Sequence, residues 1–246
     1  MSDFEQEVKD RIVSNAHDVR LKSDAAAFMQ SSIASRYSYN FSWLGRPIIQ
    51  YPQDMIAMQE LIWSIQPDLI IETGIAHGGS LIFFASMLEL NAACGGPQDA
   101  SVLGVDIDIR SHNRHAIEAH PLYRRIEMIQ GPSVAPDVVA QVRRKALGRN
   151  RILVCLDSNH THDHVLAELQ AYAPLVSVGS YCVVFDTVIE DLPTDMYPDR
   201  PWGQGDNPKT AVQEFLKVNF TFEIDKQIDH KLLVSVAPAG YLRRVR

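Results

Sequence analysis

Ile70-Ile71-Glu72-Thr73-Gly74-Ile75-Ala76-His77-Gly78-Gly79-Ser80 passes from a wholly apolar run, through a glycine-rich turn, into helix formers. An apolar run this short, bounded by glycines, reads as a buried strand. The glycines let the backbone approach a ligand closely. The helix that opens near Gly79-Ser80 has free N–H groups able to hold a polar group. Glu72 adds a carboxylate at the strand tip. The pattern is not GxGxxG, because Ala76 stands at the second glycine and an acid precedes the first. A dinucleotide needs the helix end for its pyrophosphate, whereas a carboxylate at the tip suits a cation such as a ligand's amino group. Taken alone, the same residues also describe a tight turn capped by a serine.

Working outward, apolar strands are predicted at 69–71, 102–105, 126–129, 152–156 and 181–185, and helices at 54–65, 80–90, 134–146 and 163–172. Near-continuous apolar strands alternating with helices predict an α/β fold, with a mostly parallel sheet covered by helices on both faces. Ligands of such sheets bind at the carboxyl ends of the strands. Upstream, residues 5–35 read as polar and helical, and 38–53 as an extended loop rich in aromatics, with Tyr39, Phe41 and Trp43. The chain therefore divides into an N-terminal helical extension and aromatic loop at 1–53 and the α/β domain at 54–246. The domain carries an insertion near 188–208, rich in acids, aromatics and prolines: Asp191, Asp195, Tyr197, Asp199, Trp202 and Asp206.

The 246 residues carry 23 basic and 30 acidic side chains, a net charge of −7, with 46% apolar residues. That balance gives no support to a nucleic-acid partner, which needs a clustered basic surface. No apolar stretch is long enough for a transmembrane helix, and the acidic start, Met1-Ser2-Asp3-Phe4-Glu5, lacks a signal-peptide core. Cys94, Cys155 and Cys182 are odd in number and far apart. They read as buried free thiols in a reducing compartment rather than a disulfide or zinc framework. A cytoplasmic location is expected.

The remaining strand tips carry the chemistry. Asp106 follows the second strand, where an acid can accept ribose hydroxyls or cap a helix. Ser133 follows the third and is placed to meet an adenine edge. After the fourth comes Asp157-Ser158-Asn159-His160-Thr161-His162-Asp163-His164, and after the fifth Asp186-Thr187. Two carboxylates on adjacent tips can hold a hard divalent cation such as magnesium, which prefers oxygen ligands and keeps some waters. A nearby histidine, with its pKa near neutrality, can take a hydroxyl proton. His162 and His164 also fit plain surface positions on the following helix. Zinc lacks a third nitrogen or sulfur ligand at fitting spacing.

Together these residues resemble the class I S-adenosylmethionine (SAM)-dependent methyltransferases, and in particular the cephalosporin hydroxylase/rhamnosyl O-methyltransferase family. The stretches that carry the likeness are 47–50, 71–80, 156–158, 172–176, 179–181 and 240–244. The resemblance implies a Rossmann-like three-layer sandwich and a SAM-dependent, magnesium-assisted O-methyltransferase acting on a sugar hydroxyl of a glycan or glycosylated natural product. It also suggests a homo-oligomer. The layout is similar to that of catechol-type O-methyltransferases, which implies Asp157, Asp186 and Thr187 as metal ligands and His160, with Asp157, as the catalytic residues. Cofactor contacts are implied at Glu72, Gly74, Ala76, Gly78, Ser80, Asp106, Ser133 and Asp157. Two positions depart from the pattern: Thr187 replaces an amide, and Phe185 stands where many relatives carry a glutamate. The loss at Phe185 keeps a second reading open, a non-catalytic SAM-binding partner subunit of a biosynthetic complex.

Overall fold

The computed structural model describes residues 3–246. Helices α1 (Asp3–His17) and α2 (Val19–Ala34) lead into a hairpin of β1 (Phe41–Trp43) and β2 (Arg46–Ile48). Then follow α3 (Pro52–Ile65), β3 (Leu69–Thr73), α4 (Gly79–Ala93), β4 (Ser101–Asp106), α5 (Ser111–Glu118), β5 (Ile126–Gln130), α6 (Pro136–Ala146), β6 (Ile152–Leu156), α7 (His162–Tyr172) and β7 (Tyr181–Val184). The chain closes with α8 (Pro208–Val218), β8 (Phe222–Ile224), α9 (Lys226–Leu232) and β9 (Tyr241–Arg244).

The main sheet has seven strands in the order β5-β4-β3-β6-β7-β9-β8. The first five run parallel, and β9 is antiparallel to both β7 and β8. Every residue of β3, β6 and β7 is buried, as expected where helices cover both faces. Alternate side chains feed two cores. Ile70, Cys155 and Val183 pack with α3 and α4 on one face, while Ile71, Val154 and Val184 pack with α6, α7 and α8 on the other.

Local chemistry sets the element ends. Pro52, Pro136 and Pro208 open α3, α6 and α8 at positions where a missing N–H costs nothing. Asn207 and Thr210 form a reciprocal capping box at α8.

One expectation is refined and two are corrected. The 5–35 stretch is two helices, broken where the Asp18 carboxylate caps α2 through Leu21 N–H. The 38–53 stretch is not simply a loop: it contains the β1–β2 hairpin, with the Trp43 indole donating to Ser86 on α4. Cys155 and Cys182 are buried free thiols, but Cys94 is exposed.

Candidate active site

The carboxyl ends of β3, β4, β6 and β7 open onto one cavity of about 770 Å³. Gly74, Ile75, Ala76, His77, Gly79 and Ser80 form its floor, with Asp106, Asp157, Ser158, His160 and Asp186 around them. Gly74 (φ 88°) and Gly78 (φ 81°) take the left-handed conformation that glycine adopts without strain. A Cβ on Gly74 would lie 2.1 Å from the Asp157 carbonyl oxygen. The turn after β3 therefore lies directly against the backbone after β6.

Glu72 is 1% exposed and accepts a hydrogen bond from Ser80 Oγ at 2.9 Å. Burial pushes its carboxyl up to about 8, with the Asp106 charge adding to the rise against the lowering by Ser80. A carboxylate held this way is stabilised by a cationic ligand group. Asp106 Oδ2 accepts from Ile75 N at 2.7 Å and Ala76 N at 3.3 Å, and Oδ1 from Asp108 N at 2.9 Å. Asp106 thus sets the shape of the turn as well as facing the cavity. Two residues that sequence reasoning missed hold the turn from outside. Arg46 donates to the His77 carbonyl and to Asn113 Oδ1, while Asn113 Nδ2 donates to the Ala76 carbonyl at 3.0 Å. Nothing local in the sequence signals these pairings, which join positions 31 to 67 residues apart.

Beside the turn, one ligand atom from each of Asp157, His160 and Asp186 lies within 4.8 Å of the others. His160 Nε2 is 3.2 Å from Asp186 Oδ2, and the His160 ring meets the Trp202 edge with centroids 4.8 Å apart. Asp186 sits at φ 57°, uncommon for a side-chain-bearing residue, though aspartate tolerates it better than most. Burial, then the charge of Asp186, holds the Asp157 carboxyl well above the usual carboxylate range. Gln50, which follows β2, donates from Nε2 to Asp157 Oδ2 at 3.3 Å.

Two expected site residues face elsewhere. The Thr187 hydroxyl donates to the Pro238 carbonyl at 2.8 Å, and Thr187 is fully buried, so this oxygen is taken up by the fold. Ser133 is buried behind the strand tips, with its Oγ 3.1 Å from His164 Nε2 and its carbonyl accepting from Tyr172. His162 and His164 also turn aside: His162 reaches Thr210 and Glu214 on α8, and His164 reaches Ser158 and Glu168. Phe185 lies in the apolar core.

The outer wall comes from both regions that flank the sheet. Tyr39, Tyr197, Asp199, Arg200 and Trp202 line the cavity. Phe41 and Trp43 instead pack on Tyr37 and Phe83. Asp191 pairs with Lys209, and Asp206 accepts from His162 N. Met29 on α2 packs with Tyr51, Val188 and Leu192, so α2 braces the start of the insertion.

A doubly wound sheet with an acid, a glycine turn and a second acid at its central tips, and an Asp-His-Asp cluster beside them, defines a class I methyltransferase. The rhamnosyl O-methyltransferase/CmcI profile matches residues 35–245, and the chain belongs to that family. Rhamnosyl O-methyltransferase of Mycobacterium leprae (strain TN) is 34% identical over 207 residues, covering 82% of each chain. The enzyme of that name from Mycobacterium tuberculosis is 32% identical, covering 78% of this chain and 73% of the relative. Among solved structures, CmcI described with Mg-SAM superposes with a TM-score of 0.59 at 18% identity, covering 85% of this chain and 78% of the other. An O-methyltransferase from Bacillus cereus in complex with SAH superposes with a TM-score of 0.51 at 13% identity, covering 88% and 90%. The protein is a SAM-dependent O-methyltransferase.

Proposed function

We propose that the enzyme methylates a sugar hydroxyl of a glycan or glycosylated natural product, with His160 as the general base and a magnesium site at Asp157 and Asp186. The His160–Asp186 contact at 3.2 Å, set on the cavity wall beside Asp157, carries this reading.

A sugar hydroxyl is a weak nucleophile, because its pKa lies far above neutrality. With the Nε2 proton donated to Asp186, His160 presents Nδ1 as the free lone pair. Asp186 then orients the ring and stabilises the imidazolium that forms, the role a carboxylate plays behind any base histidine. As the hydroxyl oxygen attacks, its proton passes to His160. The C–O bond forms as the C–S bond of the methyl donor breaks, in line, and S-adenosylhomocysteine leaves. SAM supplies the activated methyl group; Glu72, Ser80 and the turn at 74–79 would hold it so that the methyl faces the hydroxyl, the positioning on which such displacements depend.

The donor set fits magnesium: two half-buried carboxylates on adjacent tips, within reach of one ion. Asp157 and Asp186 would hold the ion, which supplies Lewis-acid polarisation of the acceptor oxygen. A sugar acceptor is supported by Tyr39, Tyr197 and Trp202 on the outer wall, by Asp199 beside them, and by the relatives named rhamnosyl O-methyltransferase. The reading also carries a cytoplasmic enzyme that self-associates. No helix among the described residues is long and apolar enough to cross a membrane.

The test is mass spectrometry of rhamnosylated and other glycosylated acceptors incubated with SAM, with and without magnesium. A gain of one methyl group is expected, with His160→Ala lowering kcat by ~10²–10⁴-fold at an unchanged KM for SAM. Unchanged turnover in that variant removes His160 from the mechanism, and the absence of methyl transfer to any glycoside removes the sugar reading.

A further inference from the structure

We propose that Gln50 is a metal ligand, its amide oxygen completing the cation site of Asp157 and Asp186 in place of the Thr187 hydroxyl and of the carboxylate missing at Phe185. The proposal rests on the magnesium reading above.

Gln50 is 8% exposed and stands on the cavity wall. Its two polar ends are unequally served. Nε2 reaches Asp157 Oδ2 at 3.3 Å, while Oε1 is buried without a hydrogen-bond partner. A buried acceptor left unpaired costs on the order of 1–3 kcal/mol, and such groups in native folds have a reason for being there. Turning the amide over exchanges the two ends without moving any other atom; it leaves Nε2 in the unpartnered place that Oε1 holds now, a cost that the bond from the oxygen to a cation has to exceed. The oxygen then stands 3.3 Å from Asp157 Oδ2, where Nε2 is now. Two oxygens so placed repel each other in isolation. Adjacent ligands of an octahedral ion with bonds of ~2.1 Å lie about 3 Å apart, so a shared cation converts the repulsion into chelation.

The charge balance agrees. Asp157 and Asp186 together neutralise one divalent ion, and a third ligand without charge adds no excess. Magnesium readily keeps its remaining positions for water and for an acceptor oxygen. The Thr187 hydroxyl is committed to Pro238 and Phe185 offers no ligand atom, while His160, in the same cluster, meets Asp186 through Nε2. The amide that catechol-type enzymes place right after their second acid would thus come here from the segment between β2 and α3.

The experiment titrates Mn²⁺ as a spectroscopic probe into the full-length protein, reading free ion by electron paramagnetic resonance, with magnesium competing. Folding of each variant is checked by circular dichroism and SAM affinity. Gln50→Ala is expected to weaken Mn²⁺ binding by at least tenfold. Gln50→Glu, which restores a carboxylate, is expected to bind at least as tightly as the unaltered protein. Thr187→Val is expected to leave binding within twofold. If Gln50→Ala and Gln50→Glu both match the unaltered protein while Asp157→Asn abolishes binding, the Gln50 role falls and the metal site stands. If the unaltered protein binds no Mn²⁺, the metal reading falls and the Gln50 role with it. Should Gln50→Ala fail to fold, the Gln50→Glu titration alone decides: binding weaker than the unaltered protein overturns the proposal.

Discussion

Glu72 spends the lifetime of the free enzyme largely protonated at neutral pH, since burial raises its carboxyl to about 8. An ammonium group arriving beside it makes the charged form favourable. Cofactor binding between pH 6 and 7 should therefore release up to one proton per site. Calorimetry of SAM or S-adenosylhomocysteine binding in buffers of different ionisation enthalpy measures that proton directly. In Glu72→Gln the linked proton should vanish and affinity should drop by roughly tenfold or more, about 1.4 kcal/mol for each factor of ten. Proton release that persists in the variant would assign the effect to another group.

Among the elements, α4 and the β1–β2 hairpin meet with no clearance. A Cβ on Gly79, the first residue of α4, would lie 2.1 Å from the Pro47 carbonyl oxygen. Backbone cannot give way as a side chain can, so Gly79→Ala should lower stability by ~1–3 kcal/mol, at roughly 2–4 °C of Tm per kcal/mol for a chain this size. Gly203→Ala, where a Cβ meets nothing within 4 Å, is the control that should leave Tm unchanged in the same thermal scan. Elements with a strong local signal were legible from the sequence. The five parallel strands are wholly or mostly apolar runs, and the glycine turn after β3 announces itself. The hairpin was hidden because Pro47 sits inside β2, and β8 because Phe222-Glu223-Ile224 is too short to show a period. Asp157, His160 and Asp186 were readable as strand-tip residues, since the α/β topology brings tips together. Gln50 was not, because its partner lies 107 positions away. The diversion of Thr187 depends on a carbonyl 51 residues downstream.

On the scale of the whole molecule, Asp54 ties α3 to β9 and to the segment that precedes it. It is fully buried and accepts from Ser235 Oγ at 2.6 Å, Val236 N at 2.9 Å and Tyr241 Oη at 2.8 Å. Burial raises its carboxyl from an ordinary 3.8 to about 6, against the lowering by these bonds. Between those values the folded protein holds a proton that the unfolded chain has released. The contribution of Asp54 is thus fully present below about pH 4 and is lost as pH rises through 6. Asp54→Asn cannot titrate, so the stability difference between the unaltered protein and the variant should shrink by on the order of 3 kcal/mol from pH 4 to 7. Chemical denaturation at several pH values measures it. A difference that does not change with pH would show that Asp54 does not titrate in this window.

The contact between Gly74 and the Asp157 carbonyl has a practical consequence for anyone re-engineering this enzyme. The glycine turn and the Asp157 backbone lie against each other, so a side chain added at Gly74 has to push the two apart. New acceptor preferences must be sought in the outer wall, where Tyr39, Tyr197, Asp199 and Trp202 face the cavity from segments outside the sheet. Randomised libraries aimed at those four positions should yield altered acceptor scope, and grafting the 190–207 segment between homologues is the corresponding recombination strategy. Libraries aimed at 74–80 should yield mostly inactive protein.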